Sequence, residues 1–175
     1  MTHVVLGLDV SSSKVGLAII DFNHKLLEFQ LTKFNSKKPL EDRCLELEQV
    51  VSAVAKKYSI KEIYIEAPFM MFSGGKTTAM TMSKLQRFNG MVSYMVRSLC
   101  AINSVQIAAN KARGLIGLKI KRGEDTKKKI IEWVSNEYPN QFIVELTRYG
   151  NPKPGTDDMA DAIVVALAGL KLKNT

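Results

Sequence analysis

Apolar and polar positions change period several times along the chain, and each change marks an element. Val4 to Asp9 is an apolar run rich in β-branched residues, the pattern of a strand covered on both faces. Ser11-Ser12-Ser13 interrupts it. Val15 to Phe22 predicts a second strand, Asn23-His24 a tight turn, and Leu26 to Phe34 a returning third strand. After Pro39 the period lengthens. Leu40, Cys44, Leu47, Val51, Val54, Ala55 and Tyr58 recur at spacings of three and four, the apolar stripe of a helix. Ile60 to Ile65 predicts a short strand closing on Glu66. Ala67-Pro68 stops it, because proline lacks the N–H a sheet ladder needs and restricts the residue before it.

Phe69 to Lys76, with Gly74-Gly75, reads as a loop. Thr77 to Leu99 follows as a long Met-rich helix, whose Met80, Met82, Met91 and Met95 suit a core or an interface. Val105 to Ala108 predicts a strand, Lys111 to Leu118 and Asp125 to Tyr138 shorter helices. Pro152, Pro154 and Gly155 form a loop before a last helix, capped by Thr156 and running from Asp157 to about Leu172. The order is βββαβαβααα. It predicts one α/β domain over residues 1–175, built on a mixed five-stranded sheet. Three antiparallel strands come first, then parallel ones, with helices on both faces.

Composition narrows the setting. A chain of 175 residues, 46% hydrophobic, buries a core without staples. Cys44 and Cys100 lie far apart and form no metal-binding spacing, so reduced thiols of a cytoplasmic protein are expected. The opening MTHVVLGLDV lacks the basic start of a secretory signal. No apolar stretch approaches the roughly 20 residues of a membrane span, so no membrane partner is expected. The formal net charge is +8, and its excess is local. Lys111, Arg113, Lys119, Lys121, Arg122, Lys127, Lys128 and Lys129 stand against Glu124 and Asp125 alone. Such a stretch suits a polyanion, where each neutralised phosphate releases counterions; a solvated helix face has the same composition.

The carboxylates suggest chemistry. Asp9 and Glu66 each close an apolar strand, and ligand sites of open α/β sheets lie beyond the carboxyl ends of strands. Asp157, Asp158 and Asp161 crowd the start of the last helix. Asp158 and Asp161, three apart, share a face; Asp157 and Asp161, four apart, form a competing pair. Acids there also complement the helix dipole, a purely structural use. Docking of the apolar face (Ile163, Ala166, Leu167, Leu170) on the sheet would carry Asp158 and Asp161 towards Asp9 and Glu66. Four carboxylates in one cleft repel unless a cation joins them, and hard divalent metals prefer oxygen ligands. Two ions can activate a water and stabilise the leaving oxygen of an in-line phosphodiester displacement. His3 and His24 read as strand and turn residues.

These residues resemble a known family. Leu6-Gly7-Leu8-Asp9-Val10 with Gly16-Leu17-Ala18, Ile65-Glu66 with Phe69-Met70, and Asp158-Met159-Ala160-Asp161-Ala162 resemble three ordered motifs of the RuvC-type Holliday junction resolvases. The resemblance implies the ribonuclease H-like fold and a homodimer that makes paired nicks in branched DNA, above all four-way junctions. It implies Mg²⁺ or Mn²⁺, two per site, with Asp9, Glu66, Asp158 and Asp161 as ligands and catalytic groups. Lys127 best matches the family's active-site basic residue, and Lys111 matches less closely. Asp157 has no matching role. Phe69 falls in a junction-contacting loop. Phe69, Lys111, Arg113, Lys119, Lys121, Arg122 and Lys128 are the expected DNA contacts. The long basic Leu118–Gly123 loop and the expanded Asn140–Gly155 region resemble a phage-encoded version that works without a branch-migration motor.

Three other readings share parts of this pattern. A ribonuclease H-type or YqgF-like nuclease acting on RNA or RNA–DNA hybrid would use similar acids. A branched-DNA-binding module would lack cleavage. Asp9-Val10-Ser11-Ser12-Ser13 also resembles the first phosphate loop of actin-like and sugar-kinase ATP-binding folds, which need a second lobe and a second glycine-rich motif.

Overall fold

Alternation along β1 (His3–Val10) divides the molecule into two layers. Successive side chains of a strand point to opposite faces. Val4, Leu6, Leu8 and Val10 enter one buried cluster, while Val5 enters the other. Gly7 and Asp9 share the face of Val5. A computed structural model describes residues 1–68 and 78–173. β2 (Lys14–Asp21) pairs antiparallel with β1, and β3 (Leu26–Lys33) antiparallel with β2. β4 (Ser59–Glu66) and β5 (Val105–Ile107) add in parallel, giving the order β3-β2-β1-β4-β5. This is the expected mixed sheet.

One face is covered by α1 (Leu40–Lys57) and α2 (Ala79–Cys100). Leu40, Cys44, Leu47, Val51 and Val54 of α1 meet Phe88, Val92, Met95 and Val96 of α2 over the even-numbered residues of β1. The methionine stripe is only partly core, since Met82 and Met95 are buried but Met80 is exposed. The other face carries α3 (Ala109–Leu115), α4 (Thr126–Glu137) and α5 (Thr156–Leu172). Cys44 and Cys100 are free. Among the described residues, no helix is long and apolar enough to cross a membrane.

α5 lies flat against β1 and β2, and almost every residue of its middle is buried. Absent side chains make this possible. A Cβ on Gly7 would strike the Ala162 carbonyl and stand 2.7 Å from the Ala166 Cβ; one on Gly16 would strike the Asp158 carbonyl. Several helix boundaries differ from expectation: α2 begins at Ala79 instead of Thr77, and α3 ends at Leu115 instead of Leu118. Gly155, at φ 101°, is the N-cap of α5, and Thr156 is its first helical residue. The Thr156 hydroxyl donates backward to the Lys153 carbonyl at 2.8 Å, so it fastens the preceding turn instead of capping the helix. α3 begins two residues early because Ala108, without a side-chain cap, already serves as its N-cap.

The turn from β1 to β2 is secured by Arg43, which is 2% exposed. Its guanidinium donates to the Ser12 carbonyl, and to the Ser36 and Lys38 carbonyls at 2.7 Å each. A buried cation satisfied by carbonyls alone holds two loop segments, the β1–β2 turn and the β3–α1 loop, on one centre. Hydrogen bonds to charged groups contribute about 1.5–3 kcal/mol each when one partner is removed. Arg43→Met is therefore expected to lower stability by about 3 kcal/mol, read as a fall in the urea midpoint at unchanged slope.

Candidate active site

Register brings the acids together. Asp9 pairs with Gly16 across β1 and β2. Leu8 pairs with Ile65 across β1 and β4, so Asp9 and Glu66 are the next residues at the same end of adjacent parallel strands. The missing side chain at Gly16 lets the first turn of α5 rest on β2 there, which sets Asp158 beside Asp9. Asp161, one turn on, lies over the same strand end. Asp9, Glu66, Asp158 and Asp161 thus stand at the carboxyl end of the central strands, as the α5 docking expectation required.

Their electrostatics record the crowding. Asp9 is held well above the ordinary aspartate range by burial first, then by the charges of Glu66, Asp161, Asp158 and Asp157. Burial raises Glu66, a shift opposed by Arg113 and reinforced by Asp158. Asp161 is pushed up to about 7 by burial and by Glu66, against the pull of Arg113. Asp158 is raised by burial although Lys14 draws it down. Asp157 behaves differently: burial lifts it, but the hydrogen bond and charge of Lys127, the charge of Lys14 and a backbone hydrogen bond together lower it.

These shifts fix a pH dependence. Asp161 takes up its proton more readily folded than unfolded, so its contribution to stability is present at low pH and lost as pH rises through about 7. In chelator, thermal stability should fall between pH 5 and pH 8. Saturating Mg²⁺ should flatten that slope, because a cation restores the ionised carboxylates. Melting curves across the range with and without Mg²⁺ measure both.

The site suits a hard divalent ion. Every candidate ligand is a carboxylate, and Asp158 Oδ2, though buried, accepts no aligned hydrogen bond. The acids stand near one another without closing into a cage: among the described residues, no three or more His, Cys, Asp or Glu form a group ready to hold a metal. Two lysines pair with acids of the cluster. Lys14 forms an ion pair with Asp158 Oδ2, and Lys127 one with Asp157 Oδ2. Sequence reading found Lys127 but not Lys14. The signal was present in the period-two spacing from Lys14 to Gly16, which puts both on the face of α5. Asp157 acquires a place as the acid that holds Lys127.

The basic segment borders this cluster. Arg113 on α3 lies within electrostatic reach of Glu66 and Asp161, so it belongs with the acids more than with an outlying DNA surface. Lys111, Lys119, Lys121, Arg122 and Lys128 are exposed and have no carboxylate partner among the described residues. The local acids are occupied elsewhere. Asp125 caps α4 by accepting from the Lys127 and Lys128 amides, and Glu124 accepts from the Lys121 amide at 2.7 Å. Lys127, Lys128 and Lys129 occupy the first turn of α4, where the helix dipole disfavours cations. Their position opposes helix stability and favours an external anion. Phe69 lies outside the described residues.

Neither a protein-family model nor a curated protein sequence matches the chain. Solved structures do, and they define the class first: the architecture is the ribonuclease H-like fold. The particular similarity is to RuvC of T. thermophilus in complex with a Holliday junction substrate. It has TM-score 0.72 at 16% identity, covering 98% of this chain and 95% of that one. The yeast mitochondrial Holliday junction resolvase Ydc2 gives 0.55 at 12% identity over 97% and 78%. Fowlpox virus resolvase with its Holliday junction DNA gives 0.52 at 14% identity over 98% and 99%.

Proposed function

We propose that the chain is a structure-selective endodeoxyribonuclease that resolves four-way DNA junctions by paired nicks. In this reading Asp9, Glu66, Asp158 and Asp161 hold Mg²⁺ or Mn²⁺, two ions per site. The observation that carries it is the meeting of these four carboxylates, remote in sequence, beside an unpaired basic surface on a resolvase fold. Bound ions would supply activation of the attacking water and stabilisation of the leaving 3′ oxygen.

The chain's own residues do the rest. Asp9 is the acid on which the others bear, so it takes the central ligand position. Lys127, its ammonium held at the rim by Asp157, is placed to meet the scissile phosphate. Lys111, Lys119, Lys121, Arg122 and Lys128 would carry the backbone contacts, and Arg113 would steady the phosphate near Glu66. Phe69 is assigned to stacking on an exposed base at the branch point. Cleavage leaves a 5′-phosphate and a 3′-hydroxyl.

Two symmetric nicks call for two sites, so the reading includes a homodimer. Exposed Leu45 and Tyr94 flank an apolar groove between α1 and α2 that also contains Cys44, Met91 and Met95, a face suited to a second copy. The test offers end-labelled four-way junction, flap and RNA–DNA hybrid at one salt concentration, with and without Mg²⁺ or Mn²⁺, and maps the nicks. Metal-dependent, symmetrically paired cuts in the junction by a dimeric species are expected. Preferential cutting of the hybrid would move the chain to the RNA-directed nucleases, and tight junction binding without cleavage in either metal would make it a binding module.

A further inference from the structure

Lys14 begins β2 two residues before Gly16, on the face that receives α5. Its ammonium pairs with Asp158 Oδ2, the buried carboxylate oxygen that has no aligned hydrogen bond. Both side chains are largely covered, with 30% and 10% exposure. A covered ion pair recovers little of its desolvation cost, so stability alone is a weak reason for it.

The two partners differ in freedom. Asp158 cannot retreat, because its backbone rests on β2 where Gly16 leaves no space. The Lys14 backbone is pinned as well: its carbonyl accepts from the Ser11 amide at 3.0 Å and from the Ser11 hydroxyl at 2.8 Å. The four-carbon stem of Lys14 is left as the mobile part. We infer that Lys14 is a tethered counter-cation that occupies Asp158 until a divalent ion displaces it, so that lysine and metal compete for one oxygen. Resting on the metal-site reading above, this adds a residue that sets how much free metal the enzyme needs. It also accounts for carboxylates that lie together without forming a ready cage.

The test is Mn²⁺ titration calorimetry on the full chain, with thermal melting as a second readout. Lys14→Met keeps the stem and removes the charge. It should tighten Mn²⁺ binding about five- to tenfold and enlarge the melting shift produced by saturating Mn²⁺. Lys14→Arg should stay within about twofold of wild type. Lys57→Met, which removes a lysine paired with Glu28, should leave binding unchanged. If Lys14→Met does not fold, Lys14→Gln gives the same readout. Binding by wild type together with unchanged or weaker binding by the neutral variant overturns the role of Lys14 and leaves the metal site standing. No Mn²⁺ binding by wild type or by the neutral variant overturns both.

Discussion

Asp9→Asn should reduce metal-dependent junction cleavage by at least about a thousandfold, equivalent to about 4 kcal/mol of transition-state stabilisation. The asparagine is nearly isosteric, so the loss would come from one ligand charge at the point where the other acids converge. Junction affinity should stay within about threefold of wild type, because the exposed cations of α3, α4 and the intervening loop are untouched. In chelator the variant should melt higher than wild type, since a buried carboxyl repelled by its neighbours has been neutralised. Single-turnover cleavage, gel shift and melting curves give the three readings. Cutting at near wild-type rate with Mg²⁺ present would remove Asp9 from the chemistry.

Gly16→Ala should be strongly damaging for a single added methyl. The added carbon would enter the Asp158 carbonyl and stand 2.6 Å from its carbonyl carbon, and neither backbone can yield without unseating α5. Overpacking costs typically 1–3 kcal/mol, and a backbone obstacle places this case at about 3 kcal/mol. Activity of the folded protein should fall as well. A shift of about 1 Å in a positioned group can cost a hundredfold, and the group displaced here is Asp158. Gly114→Ala is the contrast: the same methyl inside α3 meets nothing within 4 Å. It should be neutral or stabilising by about 0.5–1 kcal/mol, because alanine gives up less freedom in a helix. Urea unfolding of the pair, with cleavage rates, separates close packing from a general intolerance of substitution.

The strand-end acids were legible in the sequence because a charge closing an apolar run is conspicuous. The period of the last helix placed Asp158 and Asp161 on one face, and the observed strands depart from their expected limits by a residue or so. Lys14 was not legible in isolation. A lysine at the start of a strand looks solvated until the register shows what lies across from it. Arg43 escaped for a related reason: its α1 position reads as polar, and its burial depends on loop carbonyls that fold over it. Thr156 was assigned as a cap by residue type, whereas the left-handed Gly155 ends the turn one residue earlier. Of the DNA-contact set, Arg113 moved inward to the acids. The remaining lysines and Arg122 kept exposed positions, and Phe69 was outside the described residues.

α5 also bears on when the acid cluster could be completed during synthesis. β1, with Asp9, is made before α5, which brings Asp158 and Asp161 and fills much of one layer's interior. Contacts that span nearly the whole polypeptide form slowly, after the local ones. Before α5 is made, the chain has only two of the four clustered acids and an open hydrophobic trough. Assembly of the acid cluster and closure of that layer are a single event, so under the proposed function surrounding DNA is protected from a partly made site.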